Sequence, residues 1–467
     1  MNNSKEKELV KRIAKLAKQN QELEELLKKL QRKNEKLIQE NERVKEIFEK
    51  VSPDKLGKQL STEEKPRSLK FEMATVLFAD IHGFSKISEK VDSETLMDEL
   101  DEIIFTFNSF VKKYNIEKIK TIGDTYMCAG GIPVKNITNP IDVVMAALEM
   151  QSFVKSFGEN GKKSGKFWEM KLGIHTGPVT AQSGGKRKVT YDIKGDTVNT
   201  ASRIESVVEI GEIIISVMTY ELVKEFFVCE YYGKLPVKYK GDLEMYVVKG
   251  ILPELSVDGK GLLPNNTFNI RFGLIQFTDI QEIILDKLEN ELPEYLYYHN
   301  VKHTVDVVTE VELIGWGEGI TDEEILLMKT AGLFHDVGHV VQYNDHEYHG
   351  TLIAREMLPK YNYTQEQIDR ICDIIMATKM PPKPTDTLQS IICDADLDYL
   401  GRSDFIPVSN TLYKELKEQN MIGTLNDWNK IQVKFITGHQ YFTGTARNLR
   451  EVNKQKQIER ISSLIED

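Results

Sequence analysis

The spacing of hydrophobic positions changes twice along this chain. From residue 9 to 48 the apolar residues repeat every seven. Leu9, Leu16, Leu23, Leu30, Leu37 and Val44 hold one heptad position, and Ile13, Asn20, Leu27, Asn34, Asn41 and Phe48 the position four residues on. Leu at d with Asn at a favours a parallel two-stranded coiled coil, because paired Asn amides fix register at some cost in stability. A helix of this length runs about 60 Å, too long to pack on its own domain. Ser52-Pro53 then breaks it, since the residue before proline avoids the helical conformation.

Beyond the break the pattern turns to short strands mixed with helices. Val76 to Ala79 is an apolar run of buried-strand length, and it ends at Asp80. Two short strands flank Gly123-Asp124, a hairpin signal with Asp124 at the tip. A strand ending near Asp192, a turn at Gly195 and a helix from about Thr197 follow. The stretch 252–268 collects Pro253, Gly259, Gly261 and Pro264 and reads as a linker. After it helical spacing prevails, with helices expected over Ile320–Leu333, Tyr348–Leu358, Thr364–Thr378 and Trp428–Thr437.

At 467 residues the chain has room for about three domains. Its net charge of −11 argues against nucleic acid or an anionic membrane as a partner. The four cysteines (Cys128, Cys229, Cys372, Cys393) have neither metal-site nor disulfide spacing, as expected of free thiols in a reducing cytoplasm. No run of about 18 apolar residues occurs, and the hydrophilic start lacks the pattern of a signal peptide. A cytoplasmic protein without a membrane span is therefore expected.

The stretch Thr190 to Arg203, T-Y-D-I-K-G-D-T-V-N-T-A-S-R, sets Asn199 and Arg203 four apart, on one helix face, just beyond Asp192. With A-T-V-L-F-A-D-I-H-G-F-S from Ala74 and I-E-K-I-K-T-I-G-D-T-Y-M-C-A-G from Ile116, it resembles the class III nucleotidyl cyclases. The resemblance implies that Asp80 and Asp124 hold two Mg²⁺ or Mn²⁺ ions, with the Ile81 carbonyl as an extra ligand. It implies that Arg203 meets the α-phosphate in the transition state, that Asn199 orients the ribose, and that Lys238 binds the terminal phosphates. Tyr239 stands where the family usually has Gly. Members that take ATP place Lys with Asp or Thr on the adenine, and those that take GTP usually place Glu and Cys there. Lys120 and Asp192 therefore point to ATP. The family builds each site from two subunits. A homodimer is implied, held by the coiled coil and the catalytic domains. The segment Phe48 to Leu60 resembles the short transducing element that often precedes such domains.

A second constellation lies near the other end. Y-H-N-V-K-H-T-V-D-V from Tyr298 sets His299 and His303 four apart, as on one helix face. L-F-H-D-V-G-H from Leu333, D-H-E-Y-H-G from Asp345 and C-D-A-D-L-D-Y-L from Cys393 follow. These pieces in order resemble the HD superfamily of metal-dependent phosphohydrolases, and the Y-H-N-x-x-H pattern resembles the cyclic nucleotide phosphodiesterases. A mixed nitrogen and oxygen donor set suits Zn, Mn or Fe, with Mg also open. The resemblance implies one or two divalent metals, the first held by His303, His335, Asp336 and Asp396, with Asp394 as a second candidate for the last ligand. His299 matches the proton donor to the leaving 3′-oxygen, and Asp336 would bridge to a second metal. His346, His349 and Lys379 are possible metal or phosphate contacts.

The expected fold is thus multi-domain. A parallel coiled coil (1–50) and a transducing linker (51–65) precede an α+β ferredoxin-like cyclase domain (66–250), a linker (251–265) and an all-α HD domain (266–467). The expected function is conversion of ATP to cyclic AMP and pyrophosphate, with the HD domain hydrolysing a cyclic nucleotide. Two alternatives are an HD domain that only binds metal or ligand as a regulator, and a guanylate cyclase. The intact acids, Asn and Arg argue against a non-catalytic scaffold.

Overall fold

The computed structural model describes residues 68–82, 93–161, 168–184, 190–237 and 241–465. The expected coiled coil, the transducing segment and Lys238 lie outside these residues.

The chain runs through β1 (Ser68–His82), α1 (Ser93–Lys113), the hairpin β2 (Glu117–Ile122) and β3 (Thr125–Gly130), then α2 (Asn139–Gly161) and β4 (Glu169–Gly184). There follow β5 (Thr190–Lys194), α3 (Asp196–Val207), β6 (Ile213–Ser216), α4 (Val217–Val223), β7 (Phe227–Val237) and β8 (Gly241–Ile251). The sheet order is β2-β3-β1-β4-β6-β8-β7, with β5 added beside β4. Among the described residues, only β4 and β6 pair in parallel.

Alternation along β1 explains the layers. Leu77, Ala79 and Ile81 enter the core built with Ile103 and Phe107 of α1 and Val144 and Ala147 of α2. Val76 and Phe78 enter the opposite core, with Met127, Val179 and Ala201. The period of two puts Asp80 on this second face, over which α3 lies. Gly173 of β4 permits that approach, because a Cβ there would sit 2.3 Å from the Glu205 backbone nitrogen of α3.

The remainder is helical: α5 (Asn266–Glu291), α6 (Val301–Glu318), α7 (Asp322–Phe334), α8 (His346–Met357), α9 (Gln365–Met376), α10 (Thr387–Asp396), α11 (Phe405–Glu418), α12 (Leu425–Gly438) and α13 (Gly444–Ser462). Side-chain caps fix several starts. Thr321 and Glu324 form a capping box on α7, and Thr364 and Gln367 one on α9. No helix among the described residues is long and apolar enough to cross a membrane.

The segment expected as a linker is folded. Pro253–Leu255 and Val257–Gly259 form 3₁₀ turns, and Leu255 is fully buried. The Ile251 N–H donates to the Gly261 carbonyl at 2.9 Å. Gly250, at φ +148, makes this possible, since a Cβ on it would meet the Gly261 oxygen at 2.7 Å. Phe268, Phe272 and Ile275 of α5 then join the sheet-region core, while Phe277, Ile280, Ile284 and Leu288 of the same helix join the helical-region core. From Ser68 onward the chain forms one compact unit.

Candidate functional sites

In the sheet region, the end of β1 and the β2–β3 turn bring acids together. Asp80 stands opposite Thr125 in the ladder, and Thr125 Oγ1 donates to Asp80 Oδ1 at 3.4 Å. The Ile81 N–H donates to the Asp124 carbonyl at 3.2 Å, and Gly123, at φ +63, makes the turn that leaves Asp124 exposed. Asp80, Ile81 and Asp124 are thus neighbours. Glu205 of α3, which the sequence reading did not single out, belongs with them. Burial and the nearby carboxylates of Asp80 and Asp124 push its carboxyl up to about 7, against the opposing charge of Lys171. Its sequence signal was faint, a lone Glu two residues beyond Arg203. Carboxylates gathered like this are the hard oxygen donors that Mg²⁺ or Mn²⁺ takes, so the residues fit the implied ions.

Lys120 of β2 and Asp192 of β5 come from separate strands, yet Lys120 Nζ donates to Asp192 Oδ1 at 2.9 Å. Both are about half exposed, so the pair is reachable by a ligand and adds little to stability. Asn199 and Arg203 sit on the exposed side of α3, whose buried side is Thr197, Thr200, Ala201 and Ile204.

In the helical region four elements converge. Asn300 caps α6 by accepting the His303 N–H at 3.1 Å, which orients the turn carrying His303. His335 ends α7, Asp336 follows it, and Asp396 is the last residue of α10. His303 Nε2 lies 3.1 Å from Asp396 Oδ1, 3.3 Å from Asp336 Oδ2 and 3.3 Å from His335 Nε2. His335 Nε2 lies 3.2 Å from Asp336 Oδ2, while its Nδ1 donates to the Gly332 carbonyl at 2.7 Å. That bond leaves Nε2 as the inward-facing lone pair, the usual arrangement for a metal-binding histidine. Burial pushes the His303 and His335 rings down, but Asp336 and Asp396 outweigh it and hold both above the usual range. Two imidazole nitrogens and two carboxylate oxygens facing one another in a buried space fit a divalent cation.

Asp394, the other candidate for the last ligand, has a different task. It is fully buried and accepts from the Phe442 and Thr443 backbone N–H groups at 2.9 and 2.7 Å and from Thr443 Oγ1 at 2.7 Å. It anchors the start of α13. Residues two apart on a helix point in different directions, so only Asp396 of the C-D-A-D run reaches the cluster.

His299 does not share a helix face with His303, because α6 begins at Val301. Its Nδ1 lies 2.5 Å from Oε1 of Glu415, a fully buried residue of α11. The other Glu415 oxygen accepts the Tyr298 and His299 N–H groups at 2.9 and 3.2 Å. Sequence reasoning missed Glu415, which lies far along the chain in no recognisable motif.

A second set of donors adjoins the first, with His299, Asp336 and His339 close enough to share an ion. Both ring nitrogens of His339 are buried without hydrogen-bond partners. Burial pushes the His339 ring down to about 2. The ring stacks on His346 at 3.9 Å, and His346 Nε2 reaches Asp336 Oδ1 at 3.4 Å. Gly338 makes this possible, since a Cβ there would lie 1.9 Å from the His346 carbonyl oxygen. Orphaned donors of this kind fit a second cation. His349 stacks on neither set; its ring adjoins Tyr348 at 5.7 Å. Lys379 pairs with Asp345 at 2.5 Å on the surface. A cavity of about 240 Å³ opens beside His303 and Asp396, walled by Tyr297, Tyr298 and Tyr399.

Residues 67–250 match the adenylate and guanylate cyclase catalytic domain family, and residues 300–398 match the HD domain family. A receptor-type guanylate cyclase of Caenorhabditis elegans is 33% identical over 218 residues, which cover 46% of this chain and 19% of that protein. An adenylate cyclase of Mycobacterium bovis is 31% identical over 212 residues, 45% of this chain and 47% of that protein. The adenylyl cyclase CyaB of P. aeruginosa, a solved structure, is 31% identical, with 39% of this chain and 95% of that one covered and a TM-score of 0.37. The chain thus spans about half the length of the mycobacterial relative and a fifth of the worm receptor. It carries a class III nucleotidyl cyclase catalytic domain over residues 67–250 and an HD domain over residues 300–398.

Proposed function

We propose that this protein cyclises ATP to cyclic AMP with release of pyrophosphate, and that its HD domain hydrolyses a cyclic nucleotide, cyclic AMP first. The observation that carries the first reading is the Lys120–Asp192 pair at 2.9 Å. A lysine donor beside an aspartate acceptor complements the N1 acceptor and N6 donor of adenine. Guanine presents donors at N1 and N2 and would face the lysine unfavourably. The relatives carry both names, so GTP is the second reading.

Divalent cations on Asp80, Asp124 and the Ile81 carbonyl would neutralise charge on the attacking and leaving oxygens. The residues themselves position the substrate. Asn199 holds the ribose so that its 3′-oxygen faces the α-phosphorus, opposite the pyrophosphate. Arg203 offers a planar fork to the α-phosphate oxygens as their charge grows. Lys238 holds the terminal phosphates. In the family's arrangement the acids come from one subunit, and Lys120, Asp192, Asn199, Arg203 and Lys238 from the other, so the working species is a homodimer. The heptads of residues 9–48 support a parallel pairing.

In the HD domain, His303, His335, Asp336 and Asp396 would hold the first divalent cation, and Asp336 with His339 would face a second. Such ions would polarise the phosphodiester and activate water. As water adds to phosphorus and the 3′-oxygen leaves, His299 gives that oxygen a proton, and the 5′-monophosphate remains. The His299–Glu415 contact supports this role by fixing the ring. In the regulatory alternative the HD domain binds without turnover.

One experiment separates these readings. The purified protein is incubated with ATP or GTP, then with cyclic AMP or cyclic GMP, and products are identified by mass spectrometry. Cyclic AMP from ATP, with 5′-AMP from cyclic AMP, is the expected outcome. Metal-loaded protein that leaves both cyclic nucleotides untouched over hours would sink the hydrolytic reading. Cyclic GMP as the main product would replace ATP with GTP.

A further inference from the structure

We infer that helix α5 joins the cyclase and HD domains into one cooperative unit, so that occupancy of either site is felt at the other. Domains linked by a flexible segment move independently unless their interface is large and apolar. Here one helix belongs to both cores. Phe268 meets Phe226 edge-on at 5.0 Å and stacks with Phe272 inside the sheet-region core, and two turns later Phe277 and Ile280 lie in the HD core. No break in α5 separates the two halves.

A polar clamp fixes the helix on the cyclase side. Both carboxylate oxygens of Asp279 accept the Ile137 N–H, at 3.0 and 3.2 Å. Ile137 leads into α2, whose first residue, Asn139, accepts from Thr75 Oγ1 at 2.6 Å. Thr75 stands on β1, the strand that carries Asp80. On the other side Gly273 of α5 receives Leu326 of α7 so closely that a Cβ would lie 2.7 Å from Leu326 Cδ2. Helix α7 ends directly at His335 and Asp336. A cavity of about 430 Å³ lies beside this contact, between α2 and α9. The α5 spine therefore carries the connection, not a continuous wall. Packed elements shift as units, because close-packed interiors transmit displacement. Coupling between two sites is reciprocal in their binding free energies.

The test uses the full chain and hydrogen exchange read by mass spectrometry. Without ligand, the most protected amides of β1 and β4 and those of α6 and α7 are expected to open together, with one urea midpoint. Two well-separated midpoints would overturn the inference. A second arm adds α,β-methylene-ATP, which cannot cyclise, with Mn²⁺. Because this arm rests on the proposed nucleotide site, failure to bind would count against that site, while the ligand-free comparison still decides the coupling. Where the analogue binds, protection is expected to rise in α7 and α10 as well as in the sheet. A rise confined to the sheet would overturn the inference. Asp279→Asn, nearly isosteric, is expected to cut the rise in α7 and α10 by more than half. Its full retention would remove Asp279 from the route.

Discussion

His299 Nδ1 lies 2.5 Å from Glu415 Oε1, although 116 positions separate the two residues in sequence. Glu415 also accepts two backbone N–H groups, so its carboxylate is fixed before the ring meets it. The contact commits Nδ1 and leaves Nε2 to face the donor cluster, where His339 lies 4.6 Å away between ring centroids. Glu415→Gln should lower cyclic nucleotide hydrolysis by about 10–100-fold, the range for a group that orients a working histidine. His299→Ala should cost more, about 10²–10⁴. Both should keep stoichiometric metal, measured by elemental analysis. Loss of metal in the Gln variant would show that Glu415 supports the site's structure, not the proton donor.

Cyclisation should depend on the acids without depending on them for folding. Asp80→Ala or Asp124→Ala should abolish cyclic AMP formation with little change in the unfolding midpoint, since neither side chain fills the core. Arg203→Ala should lower turnover by about 10²–10³, the range for one transition-state donor. Chains carrying Asp80→Ala mixed with chains carrying Arg203→Ala should regain part of the activity, because one of two shared sites is then intact. A mixture that exchanges subunits and stays inactive would refute the shared site.

Base choice should follow the Lys120–Asp192 pair. Lys120→Glu with Asp192→Cys reverses the donor and acceptor directions, so ATP use should fall and GTP use should rise. A lost matched hydrogen bond costs about 1–3 kcal/mol, or roughly one to two decades in kcat/KM. An unchanged ATP-to-GTP ratio would show that the pair does not read the base.

Much of this was legible in sequence, and the rest was not for physical reasons. The acid at the end of β1 was readable because an apolar run ended in a charge, and the hairpin because Gly-Asp lay between two strands. The His335-Asp336 pair was readable because its partners are short-range motifs. Glu205 and Glu415 were not, since a carboxylate becomes functional through neighbours that only the tertiary fold supplies. The choice between Asp394 and Asp396 needed the direction of α10. The joint was misread for a different reason. Pro253, Gly259, Gly261 and Pro264 signal a chain without regular structure, yet Gly250 and Gly261 are needed because the backbones there touch. The same composition serves a loose tether and a tight turn. Hydrophobic periodicity cannot show that Phe272 and Phe277 of one helix serve two cores.

The junction should also respond to pH. Asp142, in the first turn of α2, is buried, and burial pushes its carboxyl up to about 7. Hydrogen bonds from Thr138 Oγ1 at 3.0 Å and Asn136 Nδ2 at 3.2 Å oppose this, and the charge of Asp279 adds to it. Burial likewise raises Asp279 to about 6, against the Ile137 N–H that favours its charged form. Between roughly pH 4 and 7 the folded protein therefore keeps protons that an unfolded carboxyl, with its ordinary value of about 3.9, has released. Stability from these groups is complete below about pH 4 and is lost as pH rises through 6 and 7, by at most about 1.4 kcal/mol per pH unit for one proton. Asp336 works the other way. The charge of His335 and the bonds from His303 and His346 hold it far below the usual range despite burial, so its contribution is present above about pH 4 and lost in acid. Comparing wild type with Asp142→Asn removes that opposing trend, which both proteins share. The urea midpoint of the wild type should fall relative to that of the variant between pH 4.5 and 7.5. Parallel pH profiles for the two proteins would show that Asp142 does not take up a proton in this range.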